Sequence, residues 1–153
     1  MDKQQTSSRV RLIGSAIVVT LVAVALASVV IAQSPNNPKA DIQAGNFFCG
    51  ADVPSLPTIG FVNYHRSGDT VQVEFHLKGA RPNENYFISL WGDACSFFGN
   101  LGTVKTNKNG VANLNASIDV PAGTTRIFAT ALNLTTGFND TPAVTLNPSP
   151  LPH

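Results

Sequence analysis

The chain has 153 residues, with ten Lys and Arg against nine Asp and Glu and a formal net charge of +1. Only 12% of residues are charged while 43% are hydrophobic, and the 121 residues from Gln33 to His153 are one domain's worth. The cations after residue 32 are Lys39, Arg66, Lys78, Arg81, Lys105, Lys108 and Arg126, scattered singly without the basic stripe that nucleic-acid binding requires, and no nucleic-acid partner is expected.

Residues 12–32 read LIGSAIVVTLVAVALASVVIA, an uncharged run preceded by Lys3, Arg9 and Arg11. As a helix this run would be about 31 Å long, close to the roughly 30 Å hydrocarbon core of a bilayer. A cationic stub before a long apolar run is a membrane anchor or an export signal, and its positive end stays in the cytoplasm. The length favours an anchor. Val30-Ile31-Ala32 before Gln33 also fits a signal-peptidase site, which would release the chain as a secreted protein. The expectation is a single-pass cell-membrane protein with its domain outside the cytoplasm, or a secreted one if cleavage follows Ala32.

Residues 1–11 are then a cytoplasmic stub, 12–32 the apolar helix, and 33–41 (QSPNNPKAD) a linker rich in Pro and Asn. The domain is placed at 42–147 and a Pro-rich tail at 148–153. Cys49 and Cys95, the only cysteines, both lie on the oxidising side, so they are expected to form a disulfide. The chain-entropy model assigns a closed loop of that length about 4 kcal/mol as an upper figure.

FFCG (47–50) is a candidate first strand. TIGFVNYH (58–65) and TVQVEFHLK (70–78) flank Arg66-Ser67-Gly68-Asp69 and predict a hairpin. In the second arm Val71, Val73, Phe75 and Leu77 alternate with polar residues, which places one set in a core. NYFISLW (85–91) is apolar at nearly every position and predicts a central strand. GDACSFFGN (92–100) is expected to be a loop. LGTVKT (101–106) and VANLNASIDV (111–120) flank Asn107-Lys108-Asn109-Gly110, and Asn-Gly predicts a hairpin between them. TTRIFATALNL (124–134) and AVTL (143–146) complete the series. Seven or eight short strands without helical periodicity after Ala32 predict an all-β fold, an antiparallel β-sandwich preceded by one N-terminal hydrophobic helix.

HLKGARPNENYFISLW, LGTVKTNKNGVANL and VPAGTT together resemble uncharacterised exported β-sandwich modules of bacteria and archaea, broadly immunoglobulin-like, over roughly residues 58–146. The resemblance implies fold and exposure, not a reaction. Trp91 lies only four residues before Cys95, which departs from the immunoglobulin arrangement of tryptophan and cysteines.

Motifs for catalysis are not found, and no enzyme, cofactor or metal is expected. Ser67, Ser89 and Ser96 have no nucleophile elbow around them. His65 and His76 flank the predicted hairpin turn and read as polar-face residues, with a metal pair as the rival; His153 ends the tail. The stretch 136–141 and Gly92-Asp93 offer oxygen ligands without an EF-hand spacing and read as turns. Asn115, Asn133 and Asn139 each begin a tripeptide that permits glycosylation.

Phe97, Phe98 and Phe138, placed in loops, are the candidate partner-binding residues, or alternatively caps on the core. The functional expectation is a structural or interaction module of the cell surface, bound to the membrane through 12–32 and meeting an extracellular protein or glycan. A small-ligand or carbohydrate-binding module is the alternative, and a small secreted enzyme or metal protein the third reading.

Overall fold

The computed structural model describes residues 37–147. The stub, the apolar segment 12–32, residues 33–36 of the linker and the tail 148–153 lie outside the described residues. Eight strands follow in order: β1 (Lys39–Gln43), β2 (Thr58–Ser67), β3 (Thr70–Lys78), β4 (Asn85–Gly92), β5 (Ser96–Lys105), β6 (Val111–Asp119), β7 (Arg126–Leu132) and β8 (Val144–Thr145). They form two antiparallel four-stranded sheets ordered β1-β2-β3-β6 and β5-β4-β7-β8. No helix among the described residues is long and apolar enough to cross a membrane.

Alternation builds the core. Val71, Val73, Phe75 and Leu77 are all fully buried, as their period predicts. They meet Ile42, Val62 and Tyr64 from their own sheet and Tyr86, Ile88, Leu90 and Ile127 from the other. Fully burying such a side chain stabilises by about 1.5–3 kcal/mol, so this shared layer is what holds the sheets together. Tyr64 adds a polar tie, because its hydroxyl lies 3.1 Å from Thr141 Oγ1 on the far side of the core. Burial, partly opposed by that bond, holds its phenol well above the usual tyrosine range.

Four expectations need correction. The first strand is not 47–50 but Lys39–Gln43, which begins inside the stretch read as linker. Ala40 and Ile42 face the core while Lys39 and Asp41 stay in water, so this edge strand reads as polar in sequence. The segment 47–50 is instead a loop held by its cysteine. The loop assigned to 92–100 shrinks to a three-residue turn, Asp93–Cys95, and β5 starts at Ser96. Phe97 and Phe98 therefore stand on a strand, and successive strand residues face opposite ways.

Asn107–Gly110 does not close a hairpin. β5 pairs with β4 and β6 pairs with β3 over its whole length, from Thr70↔Asp119 to Lys78↔Val111, so the turn arches between sheets. The local chemistry is still that of a tight turn: Asn107 Oδ1 accepts from the amides of Asn109 and Val111. Gly110 has φ +72, and its carbonyl accepts from the amides of Gly79 and Ala80 in the β3–β4 turn. A Cβ at this glycine would fall on the Ala80 carbonyl, so the two turns interlock only through glycine. The β2–β3 hairpin is as predicted but tighter, closing at Ser67↔Thr70 around Gly68 and Asp69.

The two sides of β5 give a direct test. Phe98 packs against the core cluster with its ring over Gly92, whereas Phe97 is 53% exposed. Phe98→Ala is expected to cost on the order of 2 kcal/mol, less than the about 3–5 kcal/mol of a fully buried ring. Phe97→Ala is expected to cost less than about 1 kcal/mol. Urea unfolding of the two variants checks this, and equal losses would refute the assignment of faces.

Candidate functional site

The outer face of the second sheet carries one aromatic residue from each of three neighbouring strands at the same level. Trp91 on β4 pairs in register with Phe97 on β5 and with Phe128 on β7. Trp91 meets Phe97 edge-on at 4.9 Å between centroids and lies nearly parallel to Phe128 at 6.4 Å. Its indole N–H donates to Ser89 Oγ at 2.9 Å, which fixes the ring on this face.

Two loops close the other side. The β1–β2 loop contributes Phe47 and the β7–β8 loop Phe138, whose rings lie 4.5 Å apart. Cys49 and Cys95 are joined in a disulfide with 5.3 Å between Cα atoms, as predicted, and it ties the β1–β2 loop to the Asp93–Cys95 turn. Both cysteines and Ala94 have positive φ without being glycine, a conformation that costs about 1–3 kcal/mol per residue. Gly50 has φ +76 and lies so close to the Phe128 ring that a side chain there would collide with it.

Phe47, Trp91, Phe128, Phe138 and the disulfide enclose a hollow of about 180 Å³, with Thr130 and Asp140 completing it. Asp140 is 3% exposed, and its Oδ1 has no hydrogen-bond partner. Burial pushes its carboxyl up to about 6, and the Thr130 hydroxyl and the Cys49 amide only partly oppose this. Its backbone is well held, with the amide bonded to the Asn46 carbonyl at 3.1 Å and the carbonyl to the Gln43 amide at 3.0 Å. The surrounding loop is built from buried amides. Asn139 Nδ2 donates to the Ala131 carbonyl, and its Oδ1 accepts from the Gly45 amide. Asn133 Nδ2 donates to the Asn85 carbonyl while its Oδ1 accepts from Thr135 and Thr136. These two asparagines are therefore framework. A glycan at either would break those bonds, whereas Asn115 faces water on β6.

The structure brings Phe97 and Phe138 to one patch and sends Phe98 to the core. Phe47, Trp91, Phe128 and Asp140 are members that the sequence reading did not single out. Trp91 and Phe128 had a usable signal, since both fall on the polar phase of their strands. His65 and His76 do not converge: each faces a different register position, four residues apart along β2, or about 13 Å. His65 meets Asn37 at 3.0 Å and Glu74 at 3.7 Å, while His76 meets Asn113 at 2.8 Å and stacks on Phe61. Among the described residues no cluster of three or more His, Cys, Asp or Glu gathers as a metal site. A larger depression of about 640 Å³ beside β1 includes Lys39, Asp41 and Asp52 but no aromatic ring.

Compared with known proteins, the chain matches no family model, and no curated protein is similar to it.

Two outcomes follow from the site. The Asp140 carboxyl titrates higher in the fold than in the unfolded chain, so the fold holds the proton more tightly. Its contribution is fully present below about pH 4 and is lost as pH rises through about 6. Asp140→Asn should therefore raise the melting temperature at pH 7.5 relative to the parent and lose that advantage at pH 4. Thermal melts at the two pH values check this; a pH-independent difference would contradict it. Cys49→Ser should lower stability by about 2–4 kcal/mol, measured by urea unfolding without reductant, and an unchanged midpoint would show that the bridge is not needed for the fold.

Proposed function

We propose that the chain is an exported, membrane-tethered recognition module of the cell surface, and that the aromatic hollow on the outer face of its second sheet is the recognition site. The carrying observation is a concave apolar wall left open on a face that the fold could have covered. Phe47 and Phe48 are each 62% exposed and Phe97 53%, in a domain whose other large side chains are mostly inside. Clustered exposed rings mark surfaces that bury against a partner, because their area is desolvated without a charge penalty.

Size narrows the reading. Pockets for whole small molecules run to about 300–1,000 Å³, while an apolar cavity of about 150 Å³ takes a single benzene. A hollow of about 180 Å³ fits one side-chain-sized group. A glycan suits it less well, since sugar hydroxyls need polar partners and the wall offers rings and sulfur. A protein partner that inserts one anchor group is the better fit, with Phe47 and Phe138 at its edge and Phe97 beside it against Trp91.

Export is supported by the cationic flank and uncharged run of residues 12–32 and by the disulfide, which persists in oxidising compartments. The immunoglobulin-like reading is supported by the strand order, in which β3 pairs with β6 and β4 with β7, so that the chain crosses between the sheets as Greek-key sandwiches do.

Protease added to intact cells should reach the domain, and a cytoplasmic reporter fused after His153 should stay inactive. An active reporter would overturn the topology. N-terminal sequencing separates anchor from signal, with a chain starting at Gln33 marking release. For recognition, Phe47→Ala with Phe138→Ala should abolish binding of single-residue amides, read from the fluorescence of Trp91, the only tryptophan. Phe87→Ala, 42% exposed and outside the hollow, should leave it intact.

A further inference from the structure

We infer that the group the hollow takes is a methylated ammonium, the head of a methylated lysine side chain presented by a partner protein, with Asp140 as its buried counter-charge. This rests on the reading of the hollow as a recognition site and adds the chemistry of its occupant.

Three observations converge. The wall presents aromatic rings from independent elements: Trp91 and Phe128 from the sheet, Phe47 and Phe138 from two loops. Ring faces carry the negative part of the aromatic quadrupole, and several around one point attract a cation, most strongly when it is desolvated. The second observation is the carboxylate. Asp140 completes the wall, is buried, and has an oxygen without a partner. A neutral occupant would leave that oxygen uncompensated, whereas a cation in the hollow interacts with it across a low-dielectric gap. At neutral pH the carboxyl, titrating near 6, is ionised.

The third observation is what the wall lacks. An unmethylated lysine brings three N–H donors that need acceptors, and the surface that faces the hollow is wholly apolar: Asp140 Oδ1 is buried behind it and offers its charge without an acceptor at contact. A quaternary ammonium has no N–H to satisfy, so the same wall suits it without a desolvated donor.

The source follows from charge near the mouth. A choline headgroup would carry a phosphate close to its ammonium, and that phosphate needs a cation. No lysine or arginine lines the hollow. Arg126, two positions before Phe128 on the same face of β7, is paired with Asp93 at 3.5 Å. The one charged group in the hollow's lining is Asp140, itself an anion. A lysine stem is four methylenes long and can lie along the exposed rim rings.

The test uses the purified domain, residues 33–153, with its disulfide intact, titrated with N-acetyl-trimethyllysine methylamide and read by Trp91 fluorescence. The comparison is the neutral isostere in which carbon replaces the ammonium nitrogen. Binding of the cation at least about tenfold tighter than the isostere is expected. That preference should vanish in Asp140→Asn, while Phe47→Ala should weaken both ligands. Equal binding of cation and isostere would overturn the ammonium assignment and leave the recognition site standing. Binding of neither would overturn both. Phosphatidylcholine vesicles form the third arm; if they bind through Phe47 while the lysine derivative does not, the ammonium comes from a lipid headgroup and the protein source is overturned. Melting curves of each variant, taken alongside, show that the loss is one of binding and not of folding.

Discussion

The covalent bond between Cys49 and Cys95 is the constraint on which the candidate site depends. It crosses from a loop without strand pairing of its own to a turn between two strands of the second sheet. Both half-cystines sit in left-handed backbone, as does Ala94 between Asp93 and Cys95. Three such residues in so short a space are disfavoured by a few kcal/mol together, and a bond across a 46-residue separation offsets a comparable amount by restricting the unfolded chain. The loop gains further hold from Gln43, Asn46 and Asp52, whose side chains bond one another and the loop backbone. Phe47 thus reaches Phe138 because the loop is closed on both sides of it.

A second constraint comes from the polar interior. The β7–β8 connection buries Asn133, Asn139, Asp140 and Thr141, residues that ordinarily stay in water. Thr141 accepts the Ala129 amide and meets the Tyr64 hydroxyl, so this loop is bonded to both sheets. Its amides are nearly all matched, which is how a buried loop avoids the cost of bare donors and acceptors. The unmatched Oδ1 of Asp140 stands out against that background. An asparagine or a threonine would serve the framework at lower cost. A carboxylate kept there lowers stability at neutral pH and places a charge behind an aromatic wall.

Charge elsewhere on the surface is handled differently. Arg66 lies along the β2–β3 turn, bonded to the carbonyls of Gly68 and Thr124, and pins the first hairpin to the β6–β7 turn. Lys39 and Lys78 both sit over the Phe61 ring, at 4.2 and 5.0 Å, on the outer face of the first sheet. That face has already used its cations on its own ring, whereas the rings of the second sheet face a hollow without cations. The two outer faces of the sandwich are thereby chemically distinct.

Much of the fold was legible in the chain itself. The alternation of Val71, Val73, Phe75 and Leu77 determined one core face, because period two admits only one burial pattern, and the two cysteines of the chain left a single possible bridge, which the fold forms. Strand partners were not legible. Asn109-Gly110 favours a tight turn by its backbone freedom, but whether the turn folds β5 onto β6 or passes between sheets depends on which strand offers a longer complementary ladder, and β3 does. The site was half legible for the same reason. Phe97 and Phe98 look like a pair in sequence, yet adjacent residues on a strand face opposite sides, so one stands exposed against Trp91 and the other joins the core. Phe47, Trp91, Phe128, Phe138 and Asp140 are spread over nearly a hundred positions and meet only when two loops close over one sheet. Local pattern determines which residues form strands and which face is apolar; it carries no information about distances between segments, and the hollow is made of nothing else.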